Sequence, residues 1–260
     1  MRAVTAAVKS ARKMPHMRPA IASETRPFHV SGRPTASQKF GRFSLHELVG
    51  RSQRTMAWRA HDPRADQLLV LVLPRAPLAD AAAQERWERR ARRGARLEHP
   101  HLAHAVEVGT HERWPFVAYD CAADAILAGR IAPGNGLPPR EAAQIARAIA
   151  QALAYAHEAG LVHGDLQDYL IVAGETGSAR LMGLEVAPYD AVSAAEQASS
   201  GGATGILGET DRLQAQREGA RRDVLTLGLV LHQALVGRGA LEERDTGRVA
   251  DRLPPAGREI

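Results

Sequence analysis

Cysteine is almost absent from this 260-residue chain, which carries a single one, Cys121. One cysteine excludes an intramolecular disulfide and fits a reducing compartment, so we expect a cytoplasmic protein. The sequence has no paired-cysteine or His-x-x-x-His spacing of the kind that holds zinc, and no Gly-x-Ser-x-Gly elbow of a serine hydrolase. It also lacks any run of 18 apolar residues that could span a membrane. A content of 45% hydrophobic residues is nevertheless enough for a sizeable core.

Lysine is missing from most of the chain. All three lysines, Lys9, Lys13 and Lys39, lie within the first 41 residues, and residues 42–260 contain none. Arginine does not reproduce the compact ammonium of lysine at a tight site. Because an essential lysine would survive a drift of composition toward arginine, its absence argues against any lysine-dependent chemistry in the body of the chain.

The positive charge is concentrated at the N-terminus. Residues 1–41 hold eight basic residues and one acid, a net +7, whereas residues 42–260 hold 26 arginines and 28 acids, a net −2. The alkaline pI of 9.9 therefore comes from a tail, and we expect no specific nucleic-acid partner. Residues 1–41 lack periodicity and are predicted to be disordered. We expect the tail to be available to an acidic partner or a membrane surface. It resembles a transit peptide only superficially, and it lacks the apolar segment of a secretory signal peptide. Met14 and Met17 are alternative translation starts.

Residues 161–172 carry the most informative pattern. Leu161 and Val162 precede the sequence His163-Gly164-Asp165, and an apolar run from Leu170 to Val172 follows. This order predicts a short strand, a tight loop and a second short strand. Such a loop can aim the Asp165 carboxylate as a general base while the backbone stays fixed.

This stretch resembles the catalytic loop of protein kinases, whose pattern is His-Arg-Asp-Leu-Lys-x-x-Asn. His163 and Asp165 match, and the resemblance implies a catalytic-base position for Asp165 and a structural one for His163. Three positions depart from the pattern: Gly164 replaces the arginine, Gln167 the lysine and Leu170 the asparagine. The His-Gly-Asp sequence is also common in small-molecule phosphotransferases of the aminoglycoside and choline kinase type, which stays an alternative.

The first half of the chain predicts a small sheet with one helix. The pattern indicates strands at 43–50, 56–60, 68–73, 101–109 and 114–119, with an arginine-rich helix at 85–97. This order resembles the small lobe of a bacterial-type serine/threonine protein kinase. Gly50 opens a stretch that aligns with the family's Gly-x-Gly-x-x-Gly loop, and residues 96–102 resemble its Leu-(Asp/Glu)-His-Pro-Asn-Ile segment. We expect an α+β, two-lobed kinase-like fold with a small lobe at 42–120 and a larger, mainly helical lobe at 121–260.

The second half predicts two main helices. Pro138-Pro139 opens a helix that runs to about Glu158 and stops at Gly160. Residues 188–209 predict a mobile loop. A nearly all-apolar helix is expected at 221–237, with Asp223 capping its start. The resemblance implies that Asp223 braces the catalytic loop, and that the last helices of the large lobe lie beyond Ile260, so that the lobe is abbreviated or the chain is a fragment.

The positions that hold ATP and magnesium in the family are degenerate in this sequence. Phosphoryl transfer depends on positioned charge around the phosphates and the metal. By the resemblance, Gly50 is retained in the phosphate loop, and Val70 narrows the adenine slot. The departures are Ser52 and Thr55 for two loop glycines, Val72 for the phosphate-binding lysine, Arg90 for its glutamate partner, Leu170 for the metal-binding asparagine, and Gly183-Leu184-Glu185 for Asp-Phe-Gly. Glu185 stands two residues late for the magnesium ligand.

We therefore expect a pseudokinase that lacks phosphoryl transfer, holds no ATP, magnesium or other metal, and acts in signalling by binding a protein, such as an active kinase or its substrate. The alternative is a weak or atypical ATP-dependent Ser/Thr kinase, or a small-molecule phosphotransferase, that uses Asp165 as base and Arg51 or Arg54 as cations. A third hypothesis is a nucleotide-free remnant that folds poorly alone.

Overall fold

The computed structural model describes residues 38–122, 125–174, 177–186 and 205–237, apart from the side chains of 205–209, 211 and 212. All of these residues fall within one compact unit that spans 33–260. An antiparallel sheet with one helix comes first in the chain, and a mainly helical part follows.

The sheet has six antiparallel strands in the order β1-β2-β3-β4-β6-β5. Its central strand β4 is buried on both faces, with residues 69–73 at most 3% exposed, as the unbroken apolar run predicts. The strands are β1 (Gln38–Phe40), β2 (Phe43–Arg51), β3 (Thr55–Asp62), β4 (Gln67–Pro74), β5 (Ala105–His111) and β6 (Trp114–Tyr119).

One strand lies in the segment predicted to be disordered. β1 pairs with β2, so the sheet begins at Gln38, inside the 1–41 tail, while residues 1–37 lie outside the described residues. Arg42 then donates hydrogen bonds to Asp62 at the end of β3 and to Glu107 on β5. The hydrogen bonds from Arg42 hold the pKa of Asp62 below its ordinary value. Arg42 therefore links the turn between β1 and β2 to β3 and to the edge strand β5.

Helix α1 (Ala81–Ala95) begins four residues earlier than the sequence pattern predicts. The Asp80 carboxylate accepts a hydrogen bond of 2.7 Å from the backbone N–H of Ala83 and caps the helix N-terminus. Its buried face packs beneath the sheet through Ala83, Trp87, Ala91 and Gly94.

The helical part contains α2 (Leu127–Arg130), α3 (Pro139–Glu158) and α4 (Gly205–Val236), with a short hairpin of β7 (Ile171–Ala173) and β8 (Ala179–Leu181) between α3 and α4. α3 starts at Pro139 as predicted, because proline loses no backbone hydrogen bond in the first turn. Its face at 142–156 is the centre of the helical core.

Three predictions for this part are wrong in whole or in part. Helix α4 starts at Gly205 and not at 221, so that Asp223 lies inside the helix and does not cap it. Of the predicted mobile loop at 188–209, residues 205–209 have helical backbone, and residues 188–204 lie outside the described residues. Residues 238–260 also lie outside the described residues. The predicted strand at 161–162 is absent; both residues are in a loop, and only β7 forms on the far side.

The apolar core crosses from the sheet to the helical part. One buried cluster belongs to the helical part, and a second contains Ala57, Val70 and Val72 from the sheet together with Leu170 and Met182 from the helical part. Across the described ranges, no helix combines the length and apolarity needed to cross a membrane.

Candidate active-site cleft

The loop at 161–167 is anchored from behind by helix α4. The Asp223 carboxylate accepts hydrogen bonds from the backbone N–H groups of His163, at 2.8 Å, and Gly164, at 2.7 Å. Gly164 has a φ of +75°, a conformation that favours glycine. Asp223 thus braces the loop, as the resemblance implies, but from the middle of a helix.

Two histidines complete this anchor. His157 Nε2 lies 2.8 Å from the Asp223 carboxylate. Burial alone would raise the pKa of Asp223, but the hydrogen bonds from His157 and the two backbone N–H groups outweigh it and lower the pKa below its ordinary value. The His163 ring is 1% exposed, and its Nε2 lies 2.8 Å from the carbonyl of Met182. The buried His163 ring thus contacts the backbone of the segment that follows β8.

The Asp165 carboxylate is enclosed by hydroxyl groups from the sheet. Ser52 Oγ and Thr55 Oγ1 each donate a hydrogen bond of 2.6 Å to Asp165 Oδ2. Gln167 Nε2 donates to the other oxygen at 3.2 Å. Asp165 is 9% exposed. The carboxylate that would serve as the base is therefore already satisfied by protein groups on both oxygens.

Tyr169 fills the space between Gly50 and this loop. A Cβ on Gly50 would lie 2.4 Å from ring atoms of Tyr169. The Tyr169 hydroxyl lies 2.9 Å from Thr55 Oγ1, and burial raises the pKa of the phenol to about 12. Only 3% of Tyr169 is exposed. A tyrosine from the helical part thus occupies the underside of the β2–β3 turn.

Apolar side chains line the cleft deeper in. Val70, Val72 and Leu170 are each fully buried and share one cluster with Tyr169. Burying an isolated charge in such a cluster would cost several kcal/mol of solvation free energy, and the apolar side chains present do not carry that cost. The cleft at this depth is hydrophobic core.

Glu185 is buried and pairs with Tyr119 from the sheet. Its carboxylate accepts a hydrogen bond from the Tyr119 hydroxyl, which in turn accepts one of 2.9 Å from the backbone N–H of Gly183. Glu185 is 4% exposed, and burial raises the pKa of its carboxyl. Burial likewise raises the pKa of Tyr119. This pair joins the end of β6 to the segment after β8.

Arginines of α1 tie that helix to the same loop. Arg90 Nη2 donates a hydrogen bond of 2.7 Å to the carbonyl of Val162, and Arg93 donates one to the carbonyl of Ala159. On the turn between β2 and β3, Arg54 Nη1 lies 3.3 Å from the carbonyl of Gly164. Arg51, the last residue of β2, is exposed. All three contacts use backbone carbonyls, so these cations hold the loop in place.

Comparisons with known proteins point to one family. The chain is 28% identical over 210 residues to the probable serine/threonine-protein kinase PknB of Bifidobacterium longum, covering 76% of this chain and 30% of that protein. It is 27% identical over 203 residues to PknB of Mycobacterium leprae, covering 75% and 32%. Among solved structures, Rad53 1–466 in complex with AMP-PNP matches with a TM-score of 0.52 and 14% identity, over 74% of this chain and 48% of that one. No family model matches the chain.

The chain carries a protein-kinase-like domain. Its relatives are bacterial serine/threonine protein kinases and its structural neighbour is a protein kinase, which confirms the predicted resemblance and the predicted α+β, kinase-like fold. The chain spans about a third of the length of the relatives it matches, at 30% and 32%.

The kinase-like positions do not fit a triphosphate with its magnesium ion. The lysine and asparagine positions are Val72 and Leu170, both 0% exposed, so neither can neutralise a phosphate or hold a metal. The Glu185 carboxylate is engaged by the Tyr119 hydroxyl. Among the described residues, no group of three His, Cys, Asp or Glu side chains is arranged to hold a metal ion.

Sequence reasoning identified the loop but missed what closes it. The motif shows Ser52 and Thr55 only as replacements of two loop glycines, and their hydrogen bonds to Asp165 do not follow from it. Tyr169 was not singled out, although a large aromatic residue beside the loop aspartate is a signal that could have been used. Tyr119 likewise escaped notice because it ends an ordinary apolar strand.

Proposed function

We propose that this kinase-like domain is a pseudokinase, which binds a protein partner in signalling and does not transfer phosphate. The proposal rests on the Asp165 carboxylate, which Ser52 and Thr55 hold at 2.6 Å each. A substrate hydroxyl would have to displace both hydroxyls before it could give its proton to Asp165, because a general base must lie within hydrogen-bond reach.

The apolar cleft supports the same proposal. Val72 and Leu170 stand where the family places a cation and a metal ligand, and both belong to the buried cluster. Each lost electrostatic contact typically costs several kcal/mol in the transition state of phosphoryl transfer. The residues that brace the fold, Asp223 and His163, keep their hydrogen bonds. A scaffold that is kept while its charges are lost is the expected state of a binding module.

The test measures nucleotide binding and transfer on the full chain. We expect the melting temperature at about 5 mM ATP with Mg²⁺ to equal that with Mg²⁺ alone, since ligand at 100 times its dissociation constant would add about 2.7 kcal/mol to the unfolding free energy. ADP and an active bacterial serine/threonine kinase serve as controls. A specific ATP-dependent rise would contradict the proposal, as would transfer of radiolabelled phosphate that Asp165→Asn abolishes.

The same assay decides on the second candidate, a weak phosphotransferase. One observation favours it: the Arg54 guanidinium reaches the carbonyl of Gly164, so that a cation is already placed beside Asp165. In that case Arg54→Gln would abolish both the ATP-dependent stabilisation and the transfer. For the pseudokinase, Arg54→Gln changes neither.

A further inference from the structure

The hairpin of β2 and β3 ends in a turn whose two hydroxyl groups differ in exposure. Ser52 and Thr55 face each other across this turn, where the Ser52 N–H donates to the Thr55 carbonyl at 2.9 Å. Both side chains bond to Asp165, but Thr55 is 3% exposed whereas Ser52 is half-buried. The nearby Arg51 and Arg54, on either side of Ser52, are exposed. Ser52 is therefore the hydroxyl of the pair that an enzyme outside the molecule can reach.

The contact between Ser52 and Asp165 depends on the hydroxyl proton. Ser52 Oγ lies 2.6 Å from Asp165 Oδ2 and has to donate, because a carboxylate only accepts. The other side chains that bond to this carboxylate, those of Thr55 and Gln167, are neutral. Within the described ranges, no cation forms an ion pair with Asp165. A negative charge on Ser52 would therefore meet the Asp165 carboxylate with no paired cation to offset the repulsion.

The turn itself supplies donors for a phosphate group. The backbone N–H groups of Arg54 and Thr55 both donate to Ser52 Oγ, at 2.9 and 3.0 Å. The exposed guanidinium groups of Arg51 and Arg54 flank Ser52 in the sequence. Backbone N–H groups and guanidinium groups are donors that bind phosphate well. Because these donors belong to the turn and Asp165 belongs to the opposite loop, a phosphate on Ser52 would keep its donors when the turn leaves Asp165.

We propose that Ser52 is a phosphoacceptor, and that its phosphorylation by an active serine/threonine kinase releases the β2–β3 turn from Asp165. The kinase transfers the terminal phosphoryl group of ATP: the bond from Ser52 Oγ to phosphorus forms, the bond from that phosphorus to the β,γ-bridging oxygen breaks, ADP leaves, and the hydroxyl proton passes to the kinase's own base. Phosphoserine carries a charge of about −1.5 to −2 at pH 7, so repulsion replaces the hydrogen bond to Asp165. The inference rests on the proposed function, because it makes an active kinase the partner.

The first experiment incorporates phosphoserine at position 52 of the full chain during expression. Labelling of carboxyl groups with a carbodiimide and glycine ethyl ester, read by mass spectrometry, reports how accessible Asp165 is. Asp165 is 9% exposed in the closed arrangement. We expect phosphoserine at position 52 to raise its labelling rate at least about tenfold over the unmodified protein. Asp223, which is 1% exposed, is the internal control and should label no faster.

Ser44 provides the matched control. It is half-buried like Ser52 and lies near the other end of β2, opposite His61. Phosphoserine at position 44 should leave the labelling rate of Asp165 unchanged. Ser52→Ala separates the charge from the lost hydrogen bond: Thr55 still donates to Asp165 in this variant, so the rate should rise by less than about threefold.

The second experiment asks whether a kinase places this phosphate. The full chain is incubated with ATP, Mg²⁺ and an active bacterial serine/threonine kinase, and phosphorylated positions are mapped by mass spectrometry. We expect phosphate on Ser52. Asp165→Asn should speed its appearance, because the hydroxyl is then no longer held by a carboxylate. A mixture without the added kinase is the control for transfer by the chain itself.

Three results would each overturn the inference: no phosphate on Ser52 in the complete mixture, equal effects of phosphoserine at positions 52 and 44, or faster labelling of Asp165 and Asp223 together, which would mean unfolding. An effect of Ser52→Ala as large as that of phosphoserine would also overturn it, since the charge would then play no part. Failure here leaves the pseudokinase proposal standing. Phosphate that appears without the added kinase would instead contradict that proposal.

Discussion

The ring of Tyr169 lies directly against the backbone of Gly50, where a Cβ would come within 2.4 Å of the ring. In this chain the loop glycine makes room for an aromatic side chain of the same protein. The glycine is needed here for a reason that differs from the approach of backbone N–H groups to phosphate. Tyr169 also hydrogen-bonds to Thr55, so the turn and the ring hold one another in place.

This contact predicts the effect of a methyl group at Gly50. Gly50→Ala should lower the unfolding free energy by about 1–3 kcal/mol, because the added atom overpacks a buried site. Gly129→Ala, at an exposed helical position with open space, should be neutral or stabilising by up to about 1 kcal/mol. Urea denaturation measures both. In a Tyr169→Ala background the Gly50 substitution should cost less; an unchanged cost would refute the contact.

Asp223 should govern the stability of the loop at 163–164. Asp223→Asn is expected to cost about 1–3 kcal/mol, because an amide cannot accept from both backbone N–H groups and leaves a buried donor unpaired. The pKa of Asp223 lies below its ordinary value of 3.8, so its contribution is present above pH 3.8 and is lost as the pH falls through the folded-state pKa. Acid unfolding should therefore be less steep in the variant.

The control for that prediction is Asp66→Asn. Asp66 is also bonded to a histidine, but its side chain is 95% exposed. An exposed pair of this kind contributes little, so the substitution should change the unfolding free energy by less than about 0.5 kcal/mol. Equal losses from the two variants would rule out a special role for Asp223.

Glu185 should make the protein less stable as the pH rises. Burial raises its folded-state pKa above 4.5, so the native state binds the proton more tightly than the unfolded chain. Stability from this carboxyl is then complete below pH 4.5 and decreases as the pH climbs toward the folded-state value. The Glu185→Gln side chain cannot ionise, so the unfolding free energy of the variant should rise relative to that of the wild type across that pH range. Above the folded-state pKa of Glu185 the difference should stay constant.

Denaturation of both proteins between about pH 4 and 8 measures this difference, with Glu85→Gln as the control. The Glu85 side chain is 75% exposed and should show no such divergence. Parallel pH profiles of the unfolding free energy for wild type and Glu185→Gln would mean that folding does not raise the pKa of Glu185.

Cys121 should react slowly in the native protein. Burial raises the pKa of its thiol to about 12, against 9.0 for a free thiol, so very little thiolate exists at pH 8. Alkylation follows the thiolate, and we expect the native rate to be on the order of 100- to 1,000-fold below that in urea. The single cysteine makes the mass-spectrometric readout unambiguous. Native labelling as fast as in urea would show that the thiol is accessible.

Much of the fold follows from local pattern. The buried strand β4 and the start of α3 at Pro139 were predictable, because an unbroken apolar run and a first-turn proline each have one common structural meaning. The short strand β1 was not, since three residues with two polar side chains carry no alternation. The early start of α4 was missed because residues 205–220 are glycine-rich and polar, without the periodicity that marks a helix.

The candidate site was predictable residue by residue but not as an arrangement. Asp165 and the losses at Val72 and Leu170 can be read from the motif, whereas the hydrogen bond from Ser52 to Asp165 joins residues 113 positions apart. Whether such groups meet depends on how far the sheet closes over the loop. The hydrogen bond of Glu185 likewise joins it to a residue far away in the sequence, Tyr119 at the end of β6.

The buried cluster shared by Val70, Val72 and Met182 changes what the gap between sheet and helices can do. In a working kinase, opening and closing that gap admits nucleotide and releases product. Here, separating the sheet from the helical part would expose buried apolar side chains to water, and the free-energy cost would grow with the apolar area exposed. The sheet and the helical part should therefore unfold in one cooperative transition. A partner is expected to bind the outer surface of a molecule whose two parts do not move apart.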